Sequence, residues 1–372
     1  MIWNMYSQNM NANNQKRNKK KKRNFIFRGV SILCTIVFLV SGLCGCTAGS
    51  NREENLPKDQ KKLRVVTTIF PQYDFVRQIA GDNVSLTMLL KPGEETHSYE
   101  PTPQDIIAIQ NADLFIYVGG ENDEWVEDIL ESPEMEDVKR LRLVDCVGNI
   151  LAEEHVEGMK EERGHSHEDE EEESHDEEEH FLHSAEETEE EHNEHVHTMD
   201  EHVWTSPGNA VDIVEHITEE LCSLDSEHGQ TYKDNAEAYE TQLKELDTAF
   251  RDVVENAKNH TLLFGDRFPF RYFAAEYGLE YYAAFSGCAS DTEPSAATMA
   301  FLINKVKEEH IPVVLKMELS NDNIANAIAE ACDVPVKVFY SSHNISAKQF
   351  EAGVTYLDLM KENVETLKEA LR

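Results

Sequence analysis

Residues 63–90 read LRVVTTIFPQYDFVRQIAGDNVSLTMLL, and the succession of patterns inside this stretch decides the fold. LRVVTTIF is a short strand-like run, PQYDFVRQIAGD reads as a helix with Gly81 near its end, and VSLTMLL is a second strand. A helix joining two short apolar strands at this spacing is the unit from which parallel sheets are built. Towards the C-terminus the alternation continues. A Pro92-Gly93 turn leads into a loop carrying His97, PQDIIAIQNA is a helix, ADLFIYVG a strand, EWVEDILES a helix and LRLVDCVG a strand.

The pattern stops near Ala152 and resumes at Asp200. A helix, VDIVEHITEELCSL, precedes a longer amphipathic segment in which Tyr232, Ala236, Tyr239, Leu243, Leu246, Phe250, Val253 and Ala257 recur at steps of three and four. A helix of that length is about 40 Å long, enough to run along two lobes. Beyond it TLLF is a strand, RYFAAEYG and AATMAFLINKVKEE are helices, IPVVLKM is a strand, IANAIAEACD a helix, VKVFY a strand, and QFEAGVTYLDLMKENVETLKEAL one long closing helix. The expected fold is α/β: a parallel-sheet lobe over residues 62–230, a rigid linking helix over 231–258 and a second α/β lobe over 259–372. A ligand is expected in the cleft between the lobes.

The 372 residues carry 34 basic and 72 acidic side chains, which argues against nucleic acid as a partner. Eight of the bases lie between Lys16 and Arg28 with no acid among them. They lead into GVSILCTIVFLVSGLCGC, an apolar run of about 18 residues ending in small side chains, the pattern of a secretory signal. Leu43-Cys44-Gly45-Cys46 resembles the bacterial lipobox, so residues 1–45 are expected to be removed and Cys46 to carry lipid. An uncleaved membrane anchor is the alternative. Loss of the eight bases takes the formal net charge from −38 to −46. Residues 46–61 have no apolar periodicity and read as a flexible tether. Cys146, Cys222, Cys288 and Cys332 fit no zinc module by spacing, and their pairing stays open.

Three histidines stand at strand C-terminal or helix N-terminal edges, where α/β folds assemble ligand sites. His97 lies in KPGEETHSYEPTPQD, His202 in DEHVWTSPGNA and His343 in FYSSHNIS. Three imidazoles suit zinc. His216, His228, His260 and His310 show no partner pattern and are expected in solvent, while Tyr99, Trp204 and Phe268 are expected to pack in the core.

The stretches THSYEPTPQD, DEHVWTSPGNA, AEAYETQLKELD and HNIS…FEAGVTYLDLMKENVETLKEAL resemble the metal-binding lipoproteins of zinc-uptake ABC transporters, a ZnuA-like cluster that also includes manganese binders. The likeness extends from Leu63 to Arg372. It implies a buried metal site between two lobes, with His97, His202 and His343 at ligand positions, Zn2+ (alternatively Mn2+) as cargo, and an ABC permease and its ATPase as partners. It also implies a monomer, not an enzyme, held by its N-terminal lipid on the outer face of the bacterial cytoplasmic membrane.

One position departs from that pattern. FGDRFPFRYF puts Arg267, or Gly265 in a shifted alignment, where relatives carry a ligand. Asp266 is the neighbouring oxygen donor, although capping a helix that starts near Arg267 explains it equally well. Glu293 is a weaker candidate. The fourth position is therefore a carboxylate, a water or open.

The interruption of the α/β pattern, over 153–199, is acidic and rich in histidine: His155, His165, His167, His175, His180, His183, His192, His195 and His197, nine of the chain's 16. With only Lys160 and Arg163 as bases and little to bury, it is expected to be disordered without metal and to gather Zn2+ weakly at many sites. Two other functions compete with metal capture for import. One is a secreted zinc hydrolase, although no HExxH or nucleophile motif occurs. The other is a surface metal buffer in which the acidic run does the main work. Zinc titration of a chain lacking 153–197 separates these: one tight site per molecule is expected to survive, whereas loss of all binding would assign the function to the run.

Overall fold

The computed structural model describes residues 62–94, 99–120, 123–159, 199–289 and 293–372. The leader, Cys46, His97 and the histidines from His165 to His197 lie outside the described residues. Among the described residues, eight strands form two sheets of one design. The first contains β1 (Leu63–Thr67), β2 (Val84–Met88), β3 (Leu114–Tyr117) and β4 (Lys139–Arg142) in the order β2-β1-β3-β4. The second contains β5 (Thr261–Phe268), β6 (Glu280–Ser286), β7 (Val314–Lys316) and β8 (Val336–Val338) in the order β6-β5-β7-β8. Every pairing is parallel. Leu63 pairs with Val84 and Thr67 with Met88, as the stretch 63–90 requires. All four residues of β3 are buried, because a parallel sheet is covered on both faces.

The helices are α1 (Phe70–Ala80), α2 (Pro103–Gln110), α3 (Glu124–Leu130), α4 (Pro207–Leu224), α5 (Gly229–Glu255), α6 (Arg271–Tyr277), α7 (Ala296–Glu308), α8 (Asn323–Cys332), α9 (Ala347–Glu351) and α10 (Tyr356–Ala370). Helix α5 is the linking helix. At its N-terminal half Tyr239 packs on Phe75 of α1, and Asn235 donates to the Ile79 carbonyl at 2.8 Å. At its C-terminal half Phe250 meets Phe273 and Tyr277 of α6, with ring centroids 4.9 and 5.5 Å apart. One helix therefore belongs to the cores of both lobes. Helix α8 lies so close to β5 that a Cβ on Gly265 would fall 2.5 Å from the Ala325 Cα, so only glycine fits there.

Several elements differ from expectation. Strand β6 was absent from the pattern; its sequence, EYYAAFS, is diluted by two alanines and follows α6 after the single left-handed Gly278. Strand β4 is centred earlier than LRLVDCVG suggests, the chain turning into a 3-10 segment at Leu143–Cys146. The closing helix is two helices, separated at Gly353 (φ 73°) and restarted by Thr355, whose side chain and Asp358 form a reciprocal cap. No helix starts near Arg267: β5 continues to Phe268 and α6 begins at Arg271. His228 is not simply solvated but pairs with Asp225 at 2.8 Å. No disulfide forms among Cys146, Cys222, Cys288 and Cys332.

The insertion has a closed stem. Ala152 and Met199 form an antiparallel bridge, and the Asp200 amide donates to the Leu151 carbonyl at 2.9 Å. The residues just past the stem are not free chain as expected, because they run over the second lobe. Glu153 accepts the Cys288 amide at 3.0 Å and Glu154 pairs with Arg271 at 3.1 Å. His155 is exposed. Because Phe250 is fully buried between lobes, Phe250→Ala is expected to destabilise the protein by about 3–5 kcal/mol in urea denaturation.

Candidate metal centre

In each sheet the chain reverses direction of travel between its first and third strands, and in α/β folds ligands bind outside the strand ends at such a switch. In the second sheet this is the C-terminal edge of β5 and β7, where Arg267, Met317 and Glu318 line a cleft. His202, Gly287, Ser341, His343 and Glu94 line the same cleft. Its cavity is about 40 Å3, room for an ion or a water and too small for an organic solute.

His202 is held by its own segment. The Asp200 carboxylate accepts the His202 amide at 2.9 Å and stands 3.1 Å from its Nδ1. The hydroxyl of Thr205 donates to the His202 carbonyl at 2.8 Å, and Ser206 then caps α4 by accepting the Asn209 amide at 3.1 Å. A carboxylate only accepts, so the proton of a neutral His202 sits on Nδ1 and the lone pair on Nε2. His202 is fully buried, and its Nε2 has no hydrogen-bond partner among the described residues. A buried, oriented and unsatisfied imidazole nitrogen is what a metal ligand looks like before the metal is added. Burial disfavours the charged ring, but Asp200, Glu201 and Glu153 together outweigh it and hold the pKa above the ordinary imidazole value.

His343 stands across from it, the two rings 5.4 Å apart and nearly perpendicular. Trp204 touches both rings, at 5.4 Å from His202 and 5.0 Å from His343. The indole donates to the Ser341 carbonyl at 2.9 Å, and the Trp204 carbonyl accepts the Tyr356 hydroxyl at 2.7 Å. Trp204 and Phe268 are buried in the core as expected. Ser341 also donates its amide and hydroxyl to Glu318, at 2.7 and 2.8 Å, while desolvation pushes that carboxyl up to about 7. Next to His343, Asn344 donates to the carbonyls of Lys91 and Glu94, both at 2.8 Å. The segment that leads into His97 is thereby tied to the segment that carries His343.

Asp266 stands apart from this cleft lining. Its two oxygens accept the amides of Arg267 at 2.9 Å and Met317 at 3.0 Å, pinning the ends of β5 and β7 together. Glu293 is exposed beside the cap of α7. Two residues that sequence spacing does not single out come close instead. Ligand atoms of Glu201, His202 and Cys288 all lie within 4.8 Å of one another. Spacing arguments detect ligands that are close in sequence, and Cys288 is brought to His202 only by the turn after β6.

The family model described as ZnuA, zinc-uptake complex component A periplasmic, matches residues 65–370. The chain is 31% identical over 337 residues to the zinc-binding lipoprotein AdcA of Streptococcus pneumoniae (strain ATCC BAA-255 / R6), covering 90% of this chain and 60% of that protein. It is 30% identical over 341 residues to the high-affinity zinc uptake system protein ZnuA of Bacillus subtilis (strain 168), covering 90% of this chain and 94% of that protein. The crystal structure of the Zn(II)-bound ZnuA-like domain of pneumococcal AdcA superposes with a TM-score of 0.63 at 28% identity, covering 83% of this chain and 99% of the domain. The match runs from the first strand to the last helix and takes in both sheets, and the chain therefore belongs to the ZnuA family of zinc-uptake components.

Proposed function

We propose that this protein captures Zn2+ outside the cytoplasmic membrane and delivers it to an ABC permease and its ATPase for import. The observation that carries this proposal is the buried, unsatisfied Nε2 of His202, oriented by Asp200 and faced by His343 in an ion-sized cavity. His97, His202 and His343 are the proposed ligands, and Asn344 holds the carbonyls of Lys91 and Glu94, the described residues that precede His97 in sequence. Three imidazoles favour zinc over manganese, which prefers more oxygen. The relatives named for zinc binding and zinc uptake support the cargo. The protein acts as a monomer, held through a lipid on Cys46, and serves as a carrier that does no covalent chemistry. No helix among the described residues is long and apolar enough to cross a membrane. The acidic histidine run serves as a weak collector beside the cleft.

The cleft is built to receive positive charge. Near His202, Glu201 is buried, and its charge adds to burial in pushing Asp123 up to about 7, against the amides of Val118 and Gly119 that donate to Asp123. A cation in the cleft relieves that repulsion and takes the place of protons.

Single His97→Ala, His202→Ala and His343→Ala changes are each expected to weaken zinc at least about 100-fold in a competition titration. Wild-type affinity in two of the three would refute the ligand set. The raised carboxyls of Asp123 and Glu318 stabilise the metal-free fold most fully below their unfolded pKa values, and that contribution is lost as pH rises towards 7. His202, also raised, loses its contribution in the same direction. Metal-free protein is thus expected to melt at a higher temperature near pH 6 than near pH 8, and zinc-loaded protein in the reverse order. Thermal denaturation with chelator and with zinc checks both.

A further inference from the structure

Resting on the proposal that the cleft binds zinc, we infer that the Cys288 thiolate is a zinc ligand beside His202, adding one sulfur to the imidazole nitrogens of the site. His202 Nε2 is buried and without a hydrogen-bond partner among the described residues, and the Cys288 sulfur forms a cluster with a ring nitrogen of His202 and an oxygen of Glu201, all within 4.8 Å of one another. Two donors on one tetrahedral zinc, with bonds near 2.0 Å to nitrogen and 2.3 Å to sulfur, stand roughly 3.5 Å apart. A side-chain adjustment of about an ångström therefore closes the pair on an ion.

The backbone around Cys288 is arranged for this approach. Gly287 lies against the His202 ring: a Cβ there would be 3.3 Å from the His202 Cε1 and 3.0 Å from the Phe268 carbonyl. The Cys288 amide is held by Glu153 at 3.0 Å, and the Arg267 guanidinium donates to the Ala289 carbonyl at 3.3 Å. Arg267, which cannot ligate zinc, thus braces the turn that presents a sulfur. Charge also balances. On binding, the thiol loses its proton to solvent, and Zn2+ with one thiolate and otherwise neutral imidazole ligands carries one net positive charge. The buried Glu201 carboxylate in the same cluster neutralises it, as a low-dielectric site demands. Thiolate favours zinc and softer ions and disfavours manganese, so Cys288 sets metal choice as well as affinity.

The test uses the full mature chain, stripped of metal and given one equivalent of Co2+ or Zn2+. Cobalt is expected to produce a sulfur-to-metal charge-transfer band in the near ultraviolet, and zinc X-ray absorption to show one sulfur near 2.3 Å. Cys288→Ser is expected to lose the band, to bind zinc about 10–100-fold more weakly and to discriminate less against Mn2+. The absorption measurement needs no variant, so a poorly folding Cys288→Ser protein does not protect the inference. Tight one-to-one zinc binding that depends on His202 but shows no sulfur overturns the Cys288 assignment and leaves the cleft as the zinc site. A sulfur signal that persists in Cys288→Ser overturns it too. Absence of any tight site in the wild type overturns both.

Discussion

The burial of Trp204 is the constraint on which the rest of the site depends. Its indole N–H has a single outlet, the Ser341 carbonyl, and its own carbonyl takes the Tyr356 hydroxyl. A fully buried indole costs free energy unless that N–H is satisfied, so the 341–343 loop must come to the 202–205 turn. Tyr356 continues the chain of contacts, since its amide donates to the buried Asp74 of α1 at 2.6 Å. Segments distant in sequence, from α1, the 200–206 turn, the loop after β8 and the start of α10, are thus locked by three hydrogen bonds around one ring. His202 and His343 are the two rings that this arrangement leaves facing each other.

Around that rigid centre the electrostatics are deliberately unfavourable. Asp123, Glu201 and Glu318 are acidic groups in or beside poorly solvated surroundings, and Asp200 is buried against His202. The backbone amides of Val118 and Gly119 hold Asp123 in place against the repulsion of Glu201. A fold that tolerates such a concentration of negative charge gives up stability in the metal-free state and regains it when a cation enters.

The alternation in residues 63–90 is readable because a parallel sheet covered on both faces leaves strands as unbroken apolar runs between amphipathic helices. The failures have local causes. EYYAAFS carries too little β-branched character to stand out, and the closing segment keeps a helical periodicity that the backbone breaks at Gly353 and resumes from Thr355. At the site, His202 and His343 are legible because both sit at strand or helix edges. Asp266 misleads, since a carboxylate beside an expected ligand position turns out to join two strand ends through backbone amides. Cys288 and Glu201 are illegible for a different reason. Glu201 is simply the neighbour of His202 in an acidic stretch, and the nearness of Cys288 arises from β6, the element that the periodicity does not reveal.

The bridge between Ala152 and Met199 has a consequence for how such a protein can change. Once the two ends of a segment are pinned by the fold, the entropy of closing the loop between them grows only logarithmically, about 0.6 kcal/mol for each doubling of length. The stem is in effect a port, at which tens of residues can be gained or lost with little effect on the two sheets. The proposed collecting run and the proposed site in the cleft can then vary as separate traits.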